Sequence, residues 1–143
     1  MSAGIEIRKD PHPAPTEFSE LWQAAWGTPF EGDAPAVWRR SLAHFGAYAD
    51  GRLAGYVNLA WDGGKHAFLL DTMVHPRLRR RGIATRLVLA AVDAARQQGV
   101  HWLHVDYEPQ LQGFYEGCGF RPTLAGLIPL AGEAASRARA SSQ

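Results

Sequence analysis

An α/β domain, a mixed sheet with helices packed on it, is the fold class that the chain predicts from three features. Strand-like apolar runs recur at residues 5–7, 53–61, 67–74 and 100–107. Residues 83–98 carry apolar side chains over much of a helical circumference (Ile83, Ala84, Leu87, Val88, Ala91, Val92, Ala95), as in a helix packed on a sheet. Turn-forming residues punctuate these runs at Asp50-Gly51, Asp62-Gly63-Gly64, Pro76 and Gly99.

Ile5, Glu6 and Ile7 alternate as a short first strand, and Pro11, Pro13 and Pro15 then mark a linker without regular structure. Thr16 reads as the N-cap of a helix whose apolar stripe is Phe18, Leu21, Trp22 and Ala25. Residues 27–33 break that helix, and Pro35 opens a second one carrying Val37, Trp38, Leu42 and Phe45. Residues 47–49 and 53–61 form a hairpin about Asp50-Gly51, a dipeptide suited to the positive φ angles of a tight turn. A second turn at 62–64 leads to the strand 67–74, which Pro76 stops. The helix 83–98 ends at Gly99, residues 100–107 alternate as a strand, Pro109 starts a short helix through Gly117, and residues 123–130 make the last strand. The order is β–αα–βββ–α–β–α–β, with no internal repeat.

The 143 residues suffice for one domain with a real core, expected over 1–130, and the small, polar and basic residues 131–143 form a frayed tail. A hydrophobic content of 46% and a charged content of 20% exclude a disordered chain. The net charge of +1 gives no bulk field for nucleic acid or a membrane surface. Cys118 is the one cysteine, which excludes an internal disulfide and fits a reducing compartment. No run is apolar enough to span a membrane, and residues 1–10 lack a signal-peptide core, so the cytoplasm is the expected location.

Charge is concentrated in Arg77-Leu78-Arg79-Arg80-Arg81-Gly82, between the strand 67–74 and the helix that begins at Ile83. A helix starts with backbone N–H groups that lack intrahelical partners, at the positive end of its dipole. Arginines and a glycine at that end make a cradle for phosphate or pyrophosphate. Neither a P-loop nor a G-x-G-x-x-G fingerprint is present.

The spacing Arg79-x-x-Gly82-x-Ala84 resembles the Arg/Gln-x-x-Gly-x-Gly/Ala element of the GNAT family of N-acetyltransferases, which holds the pyrophosphate of acetyl-CoA. Tyr115-Glu116-Gly117-Cys118-Gly119-Phe120 is similar to the Tyr-x-x-x-Gly-Phe element of the same family. The resemblance covers residues 65–130 and implies a GNAT fold: a mixed sheet of six to seven strands, helices on both faces, and a splay between the fourth and fifth strands. It further implies an acetyl-CoA-dependent N-acetyltransferase that uses acetyl-CoA as co-substrate and needs no metal. The acetyl group would pass to a primary amine, of a small molecule or a peptide, by direct attack in a ternary complex. Cofactor contacts would come from Met73 and Val74 through their main chain, and from Arg79, Arg80, Arg81, Gly82, Ile83, Ala84 and Thr85. Dimerisation is common in the family, and no feature of this sequence compels it.

By the same resemblance Tyr115 serves the departing thiolate. A tyrosine pKa of about 10 against a thiol pKa of about 8.5 makes full proton transfer uphill by roughly 2 kcal/mol, so hydrogen bonding to the developing thiolate is the assigned role. The base is either Asp71, on the strand leading to the loop, or Glu108, where the family often has Asn, or neither, if the amine arrives neutral. Asp106, His75 and His104 are weaker candidates. Cys118 has no activating base beside it in sequence and reads as a core filler. His66, His75, His101 and His104 show no metal-ligand spacing. Trp22, Trp26 and Trp38 fall in the first two helices, which line the acceptor pocket in this family; core packing is their simpler role. Two other functions compete: a catalytically silent acyl-CoA-binding module, and an RNA-associated protein using residues 77–81, which the net charge disfavours.

Overall fold

The computed structural model describes residues 4–132. Five strands, β1 (Ile5–Lys9), β2 (Ser41–Ala49), β3 (Arg52–Trp61), β4 (His66–Val74) and β5 (Trp102–His104), form one sheet in sequence order. The first four are antiparallel neighbours, while β5 runs parallel to β4. Helices α1 (Pro15–Trp26) and α2 (Ala34–Arg40) cover one face, and α3 (Ile83–Gln97) covers the other. The short α4 (Gln112–Gly117) follows β5.

Side chains sort between the two faces by strand alternation. Ala43, Phe45, Ala47, Val57 and Leu59 pack with Ile83, Leu87, Val88 and Ala91 of α3. Tyr48, Leu53 and Tyr56 pack with Phe18, Leu21, Ala25 and Trp38 of α1 and α2. With both faces covered, β2 and β3 are buried along most of their length. Gly55 lets α3 approach closely: a Cβ there would stand 3.0 Å from Leu87 Cδ1 and 3.2 Å from Ile83 Cγ2.

Four expectations change. Pro15 is inside α1 and the N-cap is Ala14, without a side-chain cap, so Thr16 is not the cap. The fixed φ of Pro15 opens the helix instead. The second helix ends at Arg40, and Leu42 and Phe45 belong to β2; a strand buried on both faces shows no clean alternation, so its apolar spacing reads as helical. The strand expected at 100–107 pairs only over Trp102–His104. Residues 123–130 form no strand and stay exposed, Leu124 completely so, because no neighbouring strand takes up their backbone groups. Among the described residues the sheet therefore has five strands, where six to seven were expected. Of the tail, residues 133–143 lie outside the described residues. The Asp50-Gly51 hairpin forms as expected, with φ of 51° and 76°.

His44 on β2 closes the α2 side. Its backbone N–H donates to Asp10 Oδ1 at 2.9 Å, its Nδ1 lies 3.2 Å from the same oxygen, and its Nε2 accepts from the His12 N–H at 3.0 Å. Its ring stacks on Trp38 at 4.4 Å. Burial lowers its pKa from 6.5 to about 4, overriding the opposing pull of Asp10, so the ring is neutral at neutral pH. The unfolded chain thus takes up the proton first as pH falls. Stability is expected to drop by up to about 3 kcal/mol between the unfolded and folded pKa values, full stability being retained above them. Urea unfolding of wild type and His44→Gln across that window checks this: an equal loss in both proteins would remove His44 as its source.

Candidate active site

The ladder between β4 and β5 ends at Phe68↔His104, while β4 continues to Val74. β5 itself ends there, leaving a gap in the sheet beside the rest of β4, and β4 leads through a 3-10 turn at Pro76–Leu78 into the N-terminus of α3. A β-bulge shapes this part of β4. Tyr56 pairs with Met73 but Asn58 with Leu70, so between these pairs β4 holds two residues against one on β3, with Asp71 in the left-handed region at φ 57°. The extra residue reverses the alternation. Ala67 and Leu69 face α3 before it; beyond it Val74 does so, and Met73 faces α1 and α2. The side chains of Met73 and Val74 are thereby committed to the core, and only their main chain is left to the gap.

At the other end of the loop, Gly82 is the N-cap of α3 in the left-handed region at φ 75°, with no side-chain cap and open space where a Cβ would stand. The first-turn N–H groups of Ile83, Ala84 and Thr85 are those that intrahelical bonding leaves over. The Ile83 side chain is buried in the core, so its backbone alone is available. Arg80 has φ 66°, and it and Arg81 are exposed. Arg79 behaves differently. Its side chain turns toward α1, where Nη2 donates to the Ala25 carbonyl at 3.4 Å and Nε is buried without a partner.

Tyr115 of α4 is buried, stacked on Tyr107 at 5.0 Å and edge-on to Phe114 and Phe120. Its hydroxyl is hydrogen-bonded to Thr72, the residue beside the bulge. Burial pushes the Tyr115 pKa up, the Thr72 bond pulling the other way, so the phenol keeps its proton. Asp71 precedes Thr72, and Glu108 follows Tyr107, so both base candidates are one residue from a direct neighbour of Tyr115. Asp71 also raises the Tyr56 pKa, after burial, while Tyr56 Oη accepts from Trp38 Nε1 at 2.8 Å. Glu108 is the N-cap of a 3-10 turn at Pro109–Leu111, without a side-chain cap bond.

Two of the weaker candidates, His75 and His104, have contacts of their own. His75 Nδ1 accepts from the Arg77 N–H, and His104 Nε2 is 2.8 Å from His66 Nδ1 at the exposed end of the sheet. Burial raises the Cys118 pKa, which keeps it a thiol. Trp38 is core, stacked on His44, whereas Trp22 and Trp26 are half-buried with ring centroids 4.1 Å apart. Among the described residues no cluster of three or more His, Cys, Asp or Glu could hold a metal, and no helix is long and apolar enough to cross a membrane. Sequence reasoning missed Thr72, because a lone threonine in a strand carries no signal until the bulge turns it toward α4. It missed Tyr56 and its bond to Trp38 because the two residues are 18 apart in sequence and meet only when α2 packs on the sheet.

Known proteins share this fold. A GNAT-family acetyltransferase of Streptococcus pneumoniae superposes with a TM-score of 0.74 at 23% identity, covering 87% of this chain and 96% of that one. An aminoglycoside N-acetyltransferase in complex with CoA gives 0.71 at 22%, covering 90% and 94%. A mycothiol acetyltransferase of Mycolicibacterium vanbaalenii is 38% identical over 66 residues, which are 46% of this chain and 22% of that relative. The matched segment thus spans about a fifth of the relative's length. With the Acetyltransferase (GNAT) family profile matching residues 6–120, on a sheet whose bulged β4 leads into the loop at α3, the chain belongs to that family.

Proposed function

We propose that the chain is an acetyl-CoA-dependent N-acetyltransferase acting on a primary amine of a small molecule or peptide, in the cytoplasm. The observation that carries the reading is the gap in the sheet beside β4 beyond the end of β5, with a helix N-terminus that has no side-chain cap following it and the buried Tyr115 phenol bonded to Thr72 of β4. Pyrophosphate meets the backbone of Gly82 to Thr85 and the charges of Arg80 and Arg81. The pantetheine arm lies along the free edge of β4 at Met73 and Val74, bonded to their main chain as an added strand would be. The neutral amine nitrogen attacks the thioester carbon, and main-chain donors of β4 hold the oxyanion. The C–S bond then breaks, the thiolate forms beside Tyr115 Oη–H, and the extra proton on nitrogen leaves to Asp71, to Glu108 or to water.

Calorimetry with CoA, using duplex nucleic acid as control, tests the cofactor half. Free-thiol release across a panel of amines tests the chemistry: CoA binding without thiol release from any amine would leave only the acyl-CoA-binding module. Proton removal has its own check. If Asp71 or Glu108 is the base, its amide variant is expected to lose the rising limb of the pH–rate profile while retaining CoA affinity. Both variants keeping that limb at the wild-type pH would assign deprotonation to the free amine or to water.

A further inference from the structure

Arg79 sits in the loop at the α3 N-terminus, yet its side chain serves α1. Helix α1 has no basic residue in its last turn and ends in a left-handed Gly27 whose N–H returns to the Gln23 carbonyl. Arg79 supplies the missing cation from 54 residues away, donating to the Ala25 carbonyl at the negative end of that helix. The contact is under-satisfied as it stands. The hydrogen bond is long at 3.4 Å, and Arg79 Nε and Trp26 Nε1, the indole of the last residue of α1, are both buried without partners. Buried donors are rarely left so, and a guanidinium offers five N–H groups in a fork that can hold a carbonyl and an anion oxygen together. The same helix end matters to the gap: Ala25, Leu21 and Phe18 pack with Met73 and Tyr56, on the face of the sheet opposite Tyr115.

We propose that Arg79 is a positioning residue linking the phosphate loop to α1, so that a pyrophosphate bound at the α3 N-terminus tightens the last turn of α1 and, through it, the Met73 wall of the gap. The proposal rests on the cofactor reading above. It departs from the expectation that Arg79 is simply one more phosphate ligand.

Amide hydrogen exchange with and without coenzyme A, on wild type, Arg79→Gln and Arg79→Lys, tests it. In wild type, CoA is expected to slow exchange at the α3 N-terminus and at residues 23–27, the latter by about fivefold or more. In Arg79→Gln the α3 response persists and the α1 response disappears; Arg79→Lys, which keeps the charge, restores part of it. A CoA response at α3 with none at residues 23–27 in wild type, or an equal α1 response in Arg79→Gln, would overturn the link. Absence of any CoA response at α3 would instead defeat the cofactor reading. The ligand-free proteins then decide the link: α1 exchanging no faster in Arg79→Gln than in wild type refutes it.

Discussion

Tyr115→Phe is expected to lower kcat about 100-fold while leaving affinity for acetyl-CoA nearly unchanged. The ring keeps its stacking on Tyr107 and its edge contacts with Phe114 and Phe120, so the fold survives. What is lost is one hydroxyl, now bonded to Thr72 and held protonated by burial. That hydroxyl is a donor, and sulfur needs a donor more as it becomes a thiolate than while it is a thioester. The loss therefore falls on the transition state and appears in kcat. Burial makes outright proton transfer from Tyr115 more uphill than in water, which favours hydrogen bonding with the proton retained. Steady-state kinetics on the purified variant, with melting temperature as the fold control, measure this. A rate within threefold of wild type would make Tyr115 a packing residue whose hydroxyl serves Thr72 alone.

Gly82→Val should weaken CoA binding at least tenfold, about 1.4 kcal/mol. Two causes act together. Gly82 has φ 75°, a conformation that a β-branched side chain adopts only with strain. Its missing Cβ would also stand in open space at the start of α3, where the proposed pyrophosphate would meet the first-turn N–H groups. Because nothing in the protein is displaced by the added side chain, the effect is expected in ligand affinity more than in packing. Calorimetric titration of a folded Gly82→Val protein decides it, and CoA affinity equal to wild type would sink the phosphate-cradle reading.

The loop before α3 was readable because its residues are local. Gly82 and the arginines before it are contiguous, and the helix that makes their N–H groups useful announces itself through the spacing of Ile83, Leu87, Val88 and Ala91. The Asp50-Gly51 hairpin was readable for the same reason, since two positive φ angles are a property of two adjacent residues. β2 was not: packed by α3 on one side and α2 on the other, it has no solvent face to impose alternation, so Leu42 and Phe45 look helical. Residues 123–130 have the apolar content of a strand, but a strand is a pairing, and no pairing forms.

By itself, then, the sequence determined the family, the order of elements through α4 and the position of the arginine-rich loop before α3, all of which rest on residues close along the chain. The tertiary structure alone decided how side chains distant in sequence meet. The bulge at Asp71 reverses the alternation of β4 and delivers Thr72 to Tyr115, and Arg79 leaves the loop for the end of α1. Those contacts depend on strand register and on helix placement, which packing both faces of the sheet fixes globally and no local pattern records.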